Sequence, residues 1–390
     1  MTKNRSSRPR IVDAAIRRRL CGAIAALPAA LAIPSAAIAE CFGAKPDGEG
    51  ESIRALAKRK GIHFGVAVSS DQLVRDPVYA RLLLAECAHL VPEWEMKWRT
   101  IWRDRYRPDY AGLDLIAQFC RKNCLSMRGH PLVWHAAMPD WATTDPTRGL
   151  SLALLEAHMA ALMNRYGGLT ISWDVVNEAI RFEDGNPQAL RSSPWLTAFG
   201  PSYIEHAFKT ARRLSPHARL VYNDYNIEYD NKKAKKIIDL VKRLRDADVP
   251  IDAVGLQSHL WASRKIDKIA LSKFCRDAAR EGLDVVITEL DIRETDFRAD
   301  IRARDTRVHD ALVAYLETVL VEITPSELTL WGLSDRYSWL SKPAYNPENP
   351  AGYTNRGLPY DIGLNRKQLW TALFQKISEL PNILPRETAQ

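Results

Sequence analysis

The chain has 390 residues, of which 46% are hydrophobic and 26% are charged, which suits one large globular domain or two smaller ones. Its formal net charge is +8, but seven basic residues and one acidic residue lie within residues 1–39, so about +2 remains on the rest. Because the basic surplus belongs to this terminal segment, the charge gives no reason to expect a nucleic-acid partner.

The first 39 residues have the pattern of a secretory signal peptide. Three arginines, 17–19, precede an alanine-rich apolar stretch over 20–38, which ends in a small-x-small pattern at 37–39. We expect cleavage before Glu40, by the general or the twin-arginine route, and a secreted or periplasmic mature protein outside the membrane. A membrane anchor is the alternative, and two prolines and weak hydrophobicity in the stretch disfavour it.

The cysteines do not form a recognisable framework. Five would remain after cleavage, an odd number, and the sequence contains neither a CxxC motif nor zinc-ligand spacing. Cys120 and Cys124 are four positions apart in a predicted helix, which is poor geometry for a bridge. We interpret the five as small buried apolar residues and predict neither a metal nor a cofactor: Cys41, Cys87, Cys120, Cys124 and Cys275.

From residue 60 onward, eight β-type runs alternate with longer helical patterns. One helical pattern covers 151–163 and stops at the Tyr-Gly-Gly sequence 166–168. Another covers 231–245, where apolar residues such as Ile237 and Val241 form one stripe and four lysines (Lys232, Lys233, Lys235 and Lys236) are interpreted as a solvated face. The predicted strands are 63–68, 88–91, 125–129, 170–176, 219–223, 251–257, 284–288 and 329–333.

This alternation predicts an α/β fold of the (β/α)8 TIM-barrel type, forming one catalytic domain over 40–390. The predicted strands are nearly continuous in apolar residues, as parallel strands buried on both faces should be. A doubly wound sheet is the structural alternative, but no GxGxxG follows the first strand, and polar residues stand at most strand ends. The segment 341–359, rich in Pro, Asn, Gly and Tyr, is predicted to be a long loop after the last strand.

Two predicted strands end in a glutamate. Trp-Asp-Val-Val-Asn-Glu occupies 173–178, and Ile-Thr-Glu-Leu-Asp occupies 287–291. A buried glutamate is unfavourable without a partner or a task. Glycoside cleavage needs two carboxyl groups, one to protonate the leaving oxygen and one to attack the sugar carbon. Glu178 and Glu289 are therefore the candidate catalytic pair.

Further motifs stand at strand ends in the same order as in a known family. They are Glu-Trp-Glu-Met-Lys-Trp at 93–98, Arg-Gly-His-Pro-Leu-Val-Trp-His at 128–135, Asn-Asp-Tyr-Asn at 223–226, Gly-Leu-Gln-Ser-His at 255–259, and Trp-Gly at 331–332 through Ser-Trp at 338–339. Together with the two glutamate motifs, they resemble the glycoside hydrolase family 10 endo-1,4-β-xylanases from about residue 61 to the last helix. The resemblance implies xylan or xylo-oligosaccharide as substrate and a monomer.

The resemblance also implies roles for individual residues. Glu178 matches the acid/base and Glu289 the nucleophile of a retaining enzyme. His259 is expected to hydrogen-bond Glu289 while Asp291 orients its imidazole, and Asn177 is expected to bind the sugar 2-hydroxyl. The implied substrate-binding residues are Glu93, Lys97, His130, Trp134, Asn223, Gln257, Trp331 and Trp339.

Several nearby residues stay ambiguous at this stage. Asp174 is expected to hold its neighbours in place, and Trp173 to be packing. His130 is expected to contact the ligand, while His135 is left open. A metal site built from His130, His135 and His259 is possible by residue type, but its spacing is not diagnostic.

Two positions depart from the family pattern. Trp94 stands where the family usually has Asn, and Ala137 where it usually has Gln. The resemblance implies that both belong to the wall that receives the sugar two units from the cleavage point on the non-reducing side. We hypothesise that this subsite binds its sugar with altered affinity and discriminates less against glucose-based substrates. The reason is that the small Ala137 side chain leaves space unfilled, and Trp94 puts a bulky ring in place of an amide side chain.

Other functions are kept as alternatives. A related retaining β-1,4-glucanase or mannanase would use the same pair of strand ends. A transglycosylase would share every catalytic residue. A non-catalytic carbohydrate-binding barrel typically lacks one of the two carboxylates, and this chain keeps both.

Overall fold

The computed structural model describes residues 51–295, 299–347, 349–350 and 352–382. The predicted signal peptide lies outside the described residues. Within them, no helix combines the length and the apolar character needed to cross a bilayer.

In the part of the chain that the structure describes, ten parallel strands form the centre of the fold. The eight predicted strands are all present, the first with its predicted bounds 63–68 and the others with shifted bounds, and two short strands at 133–134 and 259–261 were not predicted. The bounds are β1 His63–Val68, β2 His89–Pro92, β3 Ser126–Gly129, β4 Val133–Trp134, β5 Thr170–Asn177, β6 Arg219–Asp224, β7 Ala253–Leu256, β8 His259–Trp261, β9 Asp284–Arg293 and β10 Glu327–Leu330.

Eight of these strands close into a barrel in the order β1-β2-β3-β5-β6-β7-β9-β10. Closure is made by two parallel pairings of β10, with β1 on one side and β9 on the other. The short strand β4 adds to the end of β5, and β8 adds to the end of β9. The predicted (β/α)8 barrel is confirmed, and the doubly wound alternative is excluded because an open sheet would leave two edge strands.

Helices follow the strands and cover the outside of the barrel. Side-chain caps begin several of them: Ser151 accepts from Leu154 N (3.1 Å) at the start of the helix Leu152–Tyr166, and Asp230 accepts from Lys233 N (3.0 Å) at the start of the helix Asn231–Asp246. The helices are α1 Ile53–Arg59, α2 Ser70–Arg75, α3 Pro77–Glu86, α4 Trp98–Ile101, α5 Ala111–Lys122, α6 Asp140–Thr143, α7 Pro146–Gly149, α8 Leu152–Tyr166, α9 Pro194–Phe199, α10 Tyr203–Leu214, α11 Asn231–Asp246, α12 Lys268–Arg280, α13 Ile301–Leu320 and α14 Gln368–Ser378.

Helix α11 corrects one sequence interpretation. Ile237, Val241 and Leu244 are buried as predicted, but so is Lys233, which was assigned to the solvated face. Its ammonium lies 2.6 Å from Asp224 Oδ1, at the end of β6. The prediction failed because position 233 precedes Ile237 by one helical turn and therefore shares its buried stripe.

The cysteines give a second correction. Cys87, Cys120 and Cys275 are free and buried, as predicted. Cys124 is exposed, adopts a φ of +54° and is disulfide-bonded, so the prediction of a buried apolar role is wrong for it. Its partner is not one of the other described cysteines, since these are free.

Candidate active site

Glu289 lies inside β9, the longest strand, at the C-terminal mouth of the barrel. Its carboxylate is buried, and each oxygen has a donor: Asn223 Nδ2 reaches Oε1 at 2.7 Å, and His259 Nε2 lies 3.2 Å from Oε2. His130 Nδ1 lies 3.7 Å from Oε1. A carboxylate held by several donors is fixed in position and favoured in its ionised form.

Glu178 follows directly after β5 and has a φ of +59°, a region that non-glycine residues seldom occupy. Its backbone is held from two sides, because its N–H donates to Asn223 O (2.9 Å) and its carbonyl accepts from Arg191 Nε (2.7 Å). The side chain is 12% exposed, so it reaches the cleft surface. Left-handed backbone of this kind clusters at active sites, where the surrounding contacts maintain it.

Three amide side chains connect the two carboxylates. Asn223 Nδ2, which donates to Glu289, also lies 3.0 Å from Asn177 Oδ1. Gln257 Nε2 lies 3.2 Å from the same Asn177 oxygen and 3.0 Å from Glu178 Oε1. Asn177 Nδ2 lies 3.3 Å from Glu178 Oε1. The strand ends of β5, β6, β7 and β9 therefore bring both glutamates into one hydrogen-bond network.

The orientation of the Asn223 amide follows from its other neighbour. The Thr288 hydroxyl donates to Asn223 Oδ1 at 2.7 Å, which turns Nδ2 toward Glu289. Gly255 leaves the space for this contact, since a Cβ there would collide with Asn223 Oδ1 and with the Thr288 methyl. The adjoining strands thus fix which end of the amide faces the carboxylate.

The His259 imidazole lies between two carboxylates. Its Nδ1 is 2.8 Å from Asp291 Oδ1 while its Nε2 faces Glu289, which is the arrangement predicted from the sequence. Asp291 also accepts from Trp339 Nε1 at 2.6 Å, so both of its oxygens are engaged. The parallel pairing of β8 with β9 places His259 beside Asp291 in register.

The charges of this group reinforce one another. Burial would lower the pKa of His259, but Asp291 and Glu289 raise it to about 10, so the imidazolium persists at neutral pH. Burial would raise the pKa of Glu289, but His130, His259 and Lys97 hold it at about 2. Glu289 is therefore ionised at neutral pH, as a nucleophile must be.

His130 is held from behind by a buried ion pair. Its Nδ1 lies 2.9 Å from Asp174 Oδ2, and Arg128 pairs with the other Asp174 oxygen. Asp174 thus holds its neighbours, as predicted. Ligand atoms of His130, Asp174 and Glu289 lie within 4.8 Å of one another, close enough to surround a metal ion. Arg128 already neutralises Asp174, and Glu289 has its own donors, so hydrogen bonding accounts for this arrangement.

Lys97 lies in an aromatic cage of three tryptophans, two of which also contact His130. Its Nζ is 4.1 Å from the ring centroid of Trp94, 5.0 Å from Trp134 and 5.7 Å from Trp331. His130 contacts both Trp134 and Trp331 with ring-centroid distances of 6.2 and 5.1 Å. Burial lowers the pKa of Lys97, and the nearby glutamates oppose that shift.

Glu93 is buried near this cage, and burial raises its pKa while Lys342 and Lys97 lower it. All thirteen residues assigned from the sequence therefore lie at the carboxyl ends of the strands or in the segments that follow them. Their individual roles in the reaction stay predictions.

The wall beside Glu178 contains His135 and Arg191, to which the sequence assigned no role. His135, which it left open, has Nδ1 3.7 Å from Glu178 Oε2, and burial and Arg191 lower its pKa to about 4. Arg191 also donates to the Tyr225 hydroxyl at 2.8 Å. Arg191 lies in a loop outside the recognised motifs, 13 positions after Glu178, so no sequence pattern indicated it.

Trp173 is fully buried beneath this surface and packs on Gly129, in agreement with its predicted packing role.

A parallel (β/α)8 barrel with two glutamates at the mouth, carried by β5 and β9, one of them held ionised, and aromatic walls beside them defines a glycosidase-type site. The family model for glycosyl hydrolase family 10 matches residues 52–376, and the chain belongs to that family.

Curated relatives and solved structures agree with this assignment. The chain is 33% identical over 322 residues to endo-1,4-beta-xylanase 1 of Humicola insolens, covering 82% of this chain and 72% of that one. It is 34% identical over 311 residues to a beta-1,4-xylanase of Dictyoglomus thermophilum, covering 76% and 85%. Xylanase 10B of Thermotoga petrophila, solved with xylobiose, superposes with a TM-score of 0.76 at 28% identity, covering 85% and 98%.

Proposed function

We propose that this protein is a retaining endo-1,4-β-xylanase that cleaves internal bonds of xylan through a glycosyl-enzyme intermediate. The observation that carries the proposal is the amide network joining Glu289 and Glu178, with Glu289 held ionised. Similarity to relatives named as xylanases, and to a xylanase solved with xylobiose, supports xylan as the substrate.

In the first step, Glu289 attacks the anomeric carbon and Glu178 protonates the leaving oxygen, so that the glycosidic bond breaks as an ester bond to Glu289 forms. Asn223 fixes the attacking carboxylate through Oε1, and the His259 imidazolium fixes Oε2. In this proposal, Asn177 binds the sugar 2-hydroxyl, a contact that strengthens in the transition state, and its hydrogen bonds to Asn223 and Gln257 support a position beside both glutamates.

In the second step, Glu178 acts as a base and takes a proton from water, which attacks the same anomeric carbon and releases Glu289. Formation of the ester removes the negative charge of Glu289 and its release restores it, so the His259 imidazolium stabilises the departing carboxylate. Two inversions at one carbon retain the β-configuration.

Product NMR on xylohexaose tests the substrate, the position of cleavage and the stereochemistry together. The proposal expects cleavage at internal bonds and a β-anomer that appears first and then mutarotates. Initial formation of the α-anomer would contradict the retaining mechanism, and absence of turnover would contradict the substrate.

Two matched variants separate the roles of the glutamates. Glu289→Gln should lose activity on all substrates, by about 10⁴-fold or more, because the nucleophile is absent. Glu178→Gln should lose activity on xylan but retain much more on a dinitrophenyl xylobioside, whose leaving group needs no proton. Equal loss on both substrates in both variants would contradict this division.

A specific observation also keeps a glucan-active alternative open. A relative named exoglucanase XynX, from Acetivibrio thermocellus, is 32% identical over 334 residues, which cover 82% of this chain and 29% of that protein. Comparing the turnover of xylan, carboxymethylcellulose and mannan would decide between these substrates.

We also propose that the enzyme is exported and acts as a monomer outside the cytoplasm. The signal-like pattern of residues 1–39 and the disulfide of Cys124 support export, since structural disulfides persist in oxidising compartments. N-terminal sequencing of the exported protein should begin at Glu40, and an intact N-terminus would contradict the proposal.

A further inference from the structure

The left-handed backbone at Glu178 is held by hydrogen bonds to every donor and acceptor of Glu178 and Ala179. Glu178 N–H donates to Asn223 O at 2.9 Å, and Glu178 O accepts from Arg191 Nε at 2.7 Å. Ala179 N–H donates to Tyr222 Oη at 3.1 Å, and Ala179 O accepts from Arg191 N at 2.7 Å. A φ of +59° is unfavourable for a residue with a side chain, so the direction of the Glu178 carboxyl group depends on these bonds.

Tyr222 makes the first of the two side-chain bonds, and its hydroxyl is oriented by a second partner. The side chain is fully buried, and the hydroxyl donates to Asp224 Oδ2 at 2.5 Å. Because a hydroxyl has one proton, this donation leaves a lone pair for Ala179 N–H. Burial and the Asp224 charge raise the pKa of Tyr222 well above its usual range, so the hydroxyl keeps its proton.

Arg191 makes the second side-chain bond, and its guanidinium is also held at two points. Its Nε donates to Glu178 O, and its Nη2 donates to Tyr225 Oη at 2.8 Å. A guanidinium is planar and rigid, so two fixed acceptors determine its orientation. An antiparallel bridge between Ile180 and Leu190 pairs the chain that follows Glu178 with the chain that precedes Arg191.

A buried ion pair supports both side chains from below. Asp224 is fully buried, and its Oδ1 lies 2.6 Å from Lys233 Nζ and accepts from Tyr225 N at 2.9 Å. The same ammonium lies 3.5 Å from the centroid of the Tyr225 ring. The pair therefore fixes the acceptor of Tyr222 on one side and the acceptor of Arg191 on the other.

We propose that Tyr222 and Arg191 are positioning residues for the acid/base, and that the Asp224–Lys233 pair is their common support. This inference rests on the proposed function, in which Glu178 protonates the leaving oxygen. A general acid must lie within hydrogen-bond reach of the atom that it protonates. A misplacement of about 1 Å can slow such a step about 10²-fold, so a shift of this backbone should slow proton donation.

Substrates with different leaving groups test the proposal. kcat/KM is measured for 2,4-dinitrophenyl β-xylobioside, whose leaving group needs no proton, and for phenyl β-xylobioside, whose leaving group needs one. Tyr222→Phe removes only the hydroxyl, and Arg191→Lys keeps the charge but loses the planar fork. The control is Tyr79→Phe, which removes the hydroxyl of another fully buried tyrosine, one that accepts from Leu333 N at 3.3 Å.

The measured quantity is the ratio of kcat/KM for the dinitrophenyl substrate to kcat/KM for the phenyl substrate. Each positioning variant should raise this ratio at least about 10-fold, because a displaced acid slows only the reaction that needs a proton. The control should leave the ratio within about 2-fold of wild type, and a general loss of structure should lower both values of kcat/KM together.

A ratio within about 2-fold of wild type in every positioning variant that folds, as judged by circular dichroism, would overturn the proposal. Arg191→Lys keeps the test valid if Tyr222→Phe does not fold.

Glu178→Gln distinguishes failure of this inference from failure of the proposed function. If Glu178→Gln leaves the ratio at its wild-type value, Glu178 is not the acid and the proposed function fails. If Glu178→Gln raises the ratio while Tyr222→Phe and Arg191→Lys do not, only the positioning inference fails.

Discussion

Asp291→Asn should narrow the pH profile of kcat/KM, because its acidic limb should move to higher pH and its alkaline limb to lower pH. Asp291 Oδ1 faces His259 Nδ1 at 2.8 Å, and its other oxygen accepts from Trp339. The substitution preserves the size and planarity of the side chain but removes its negative charge. His259 then loses its strongest electrostatic partner, and Glu289 loses the imidazolium that depends on that partner.

The magnitude follows from the pKa values. His259 has a pKa of about 10, whereas an ordinary histidine has 6.5. At roughly 1.4 kcal/mol per pKa unit, the folded protein therefore favours the charged imidazolium by about 5 kcal/mol. Because the folded pKa is the higher one, this stabilisation is complete below pH 6.5 and is lost as pH rises through about 10. Glu289 has the opposite sign: with a folded pKa of about 2, its stabilisation is complete above pH 4.5 and is lost as pH falls toward 2.

The assay is the pH dependence of kcat/KM on a dinitrophenyl xylobioside, which reports ionisations of the free enzyme and does not require Glu178 as acid. In Asp291→Asn, the pKa of His259 should fall by several units, because burial then acts unopposed by its main partner. The alkaline limb should move from near pH 10 to near neutrality. The acidic limb should move up by about one to two units as Glu289 loses its cationic neighbour.

An exposed His–Asp pair provides the matched control. His309 Nδ1 lies 3.0 Å from Asp310 Oδ1, and the Asp310 side chain is 70% exposed. Asp310→Asn should leave both limbs in place, since solvent screens an exposed pair. If Asp291→Asn shows the wild-type profile within 0.3 pH units, while circular dichroism shows an intact fold, the reasoning about His259 is refuted.

Two further predictions concern single contacts. Asn223→Ala removes the donor to Glu289 Oε1, so kcat on xylo-oligosaccharides should fall by about 10²- to 10³-fold while the melting temperature changes little. A fall in kcat of less than 5-fold would contradict the role of the network. Lys233→Met leaves Asp224 buried without its cation, so the free energy of unfolding measured in urea should fall by about 3–5 kcal/mol. The control Lys232→Met replaces an exposed lysine on the same helix and should lower the free energy of unfolding by less than about 0.5 kcal/mol. Equal effects in both lysine variants would show that the Asp224 pair is not the cause.

The barrel could be predicted from the sequence because its signals are local. Apolar runs bounded by polar residues mark buried parallel strands, and the polar residues at their carboxyl ends must meet at one mouth. The short strands β4 and β8 were missed, since two or three residues carry too little pattern to distinguish a strand from a loop. Strand β9 was predicted too short because Glu289 and Asp291 interrupt its apolar run although both are buried.

Those site residues that belong to recognisable sequence motifs could be predicted. His259 was placed between Glu289 and Asp291 because all three stand in motifs that resemble those of the family. The contact between Trp94 and Tyr345 could not be predicted, since 250 residues separate them and only closure of the barrel brings their loops together. Cys124 was misjudged for a related reason: its spacing from Cys120 says nothing about a partner elsewhere in the chain.

The two glutamates differ in how firmly the backbone holds them. Glu289 lies within the ten residues of β9, whereas Glu178 stands just beyond the last residue of β5. A residue inside a barrel strand cannot advance toward an electrophile without breaking the ladder that encloses it. In the proposed mechanism, the anomeric carbon of the sugar therefore moves toward Glu289, because the strand and the Asn223 amide hold the carboxylate in place.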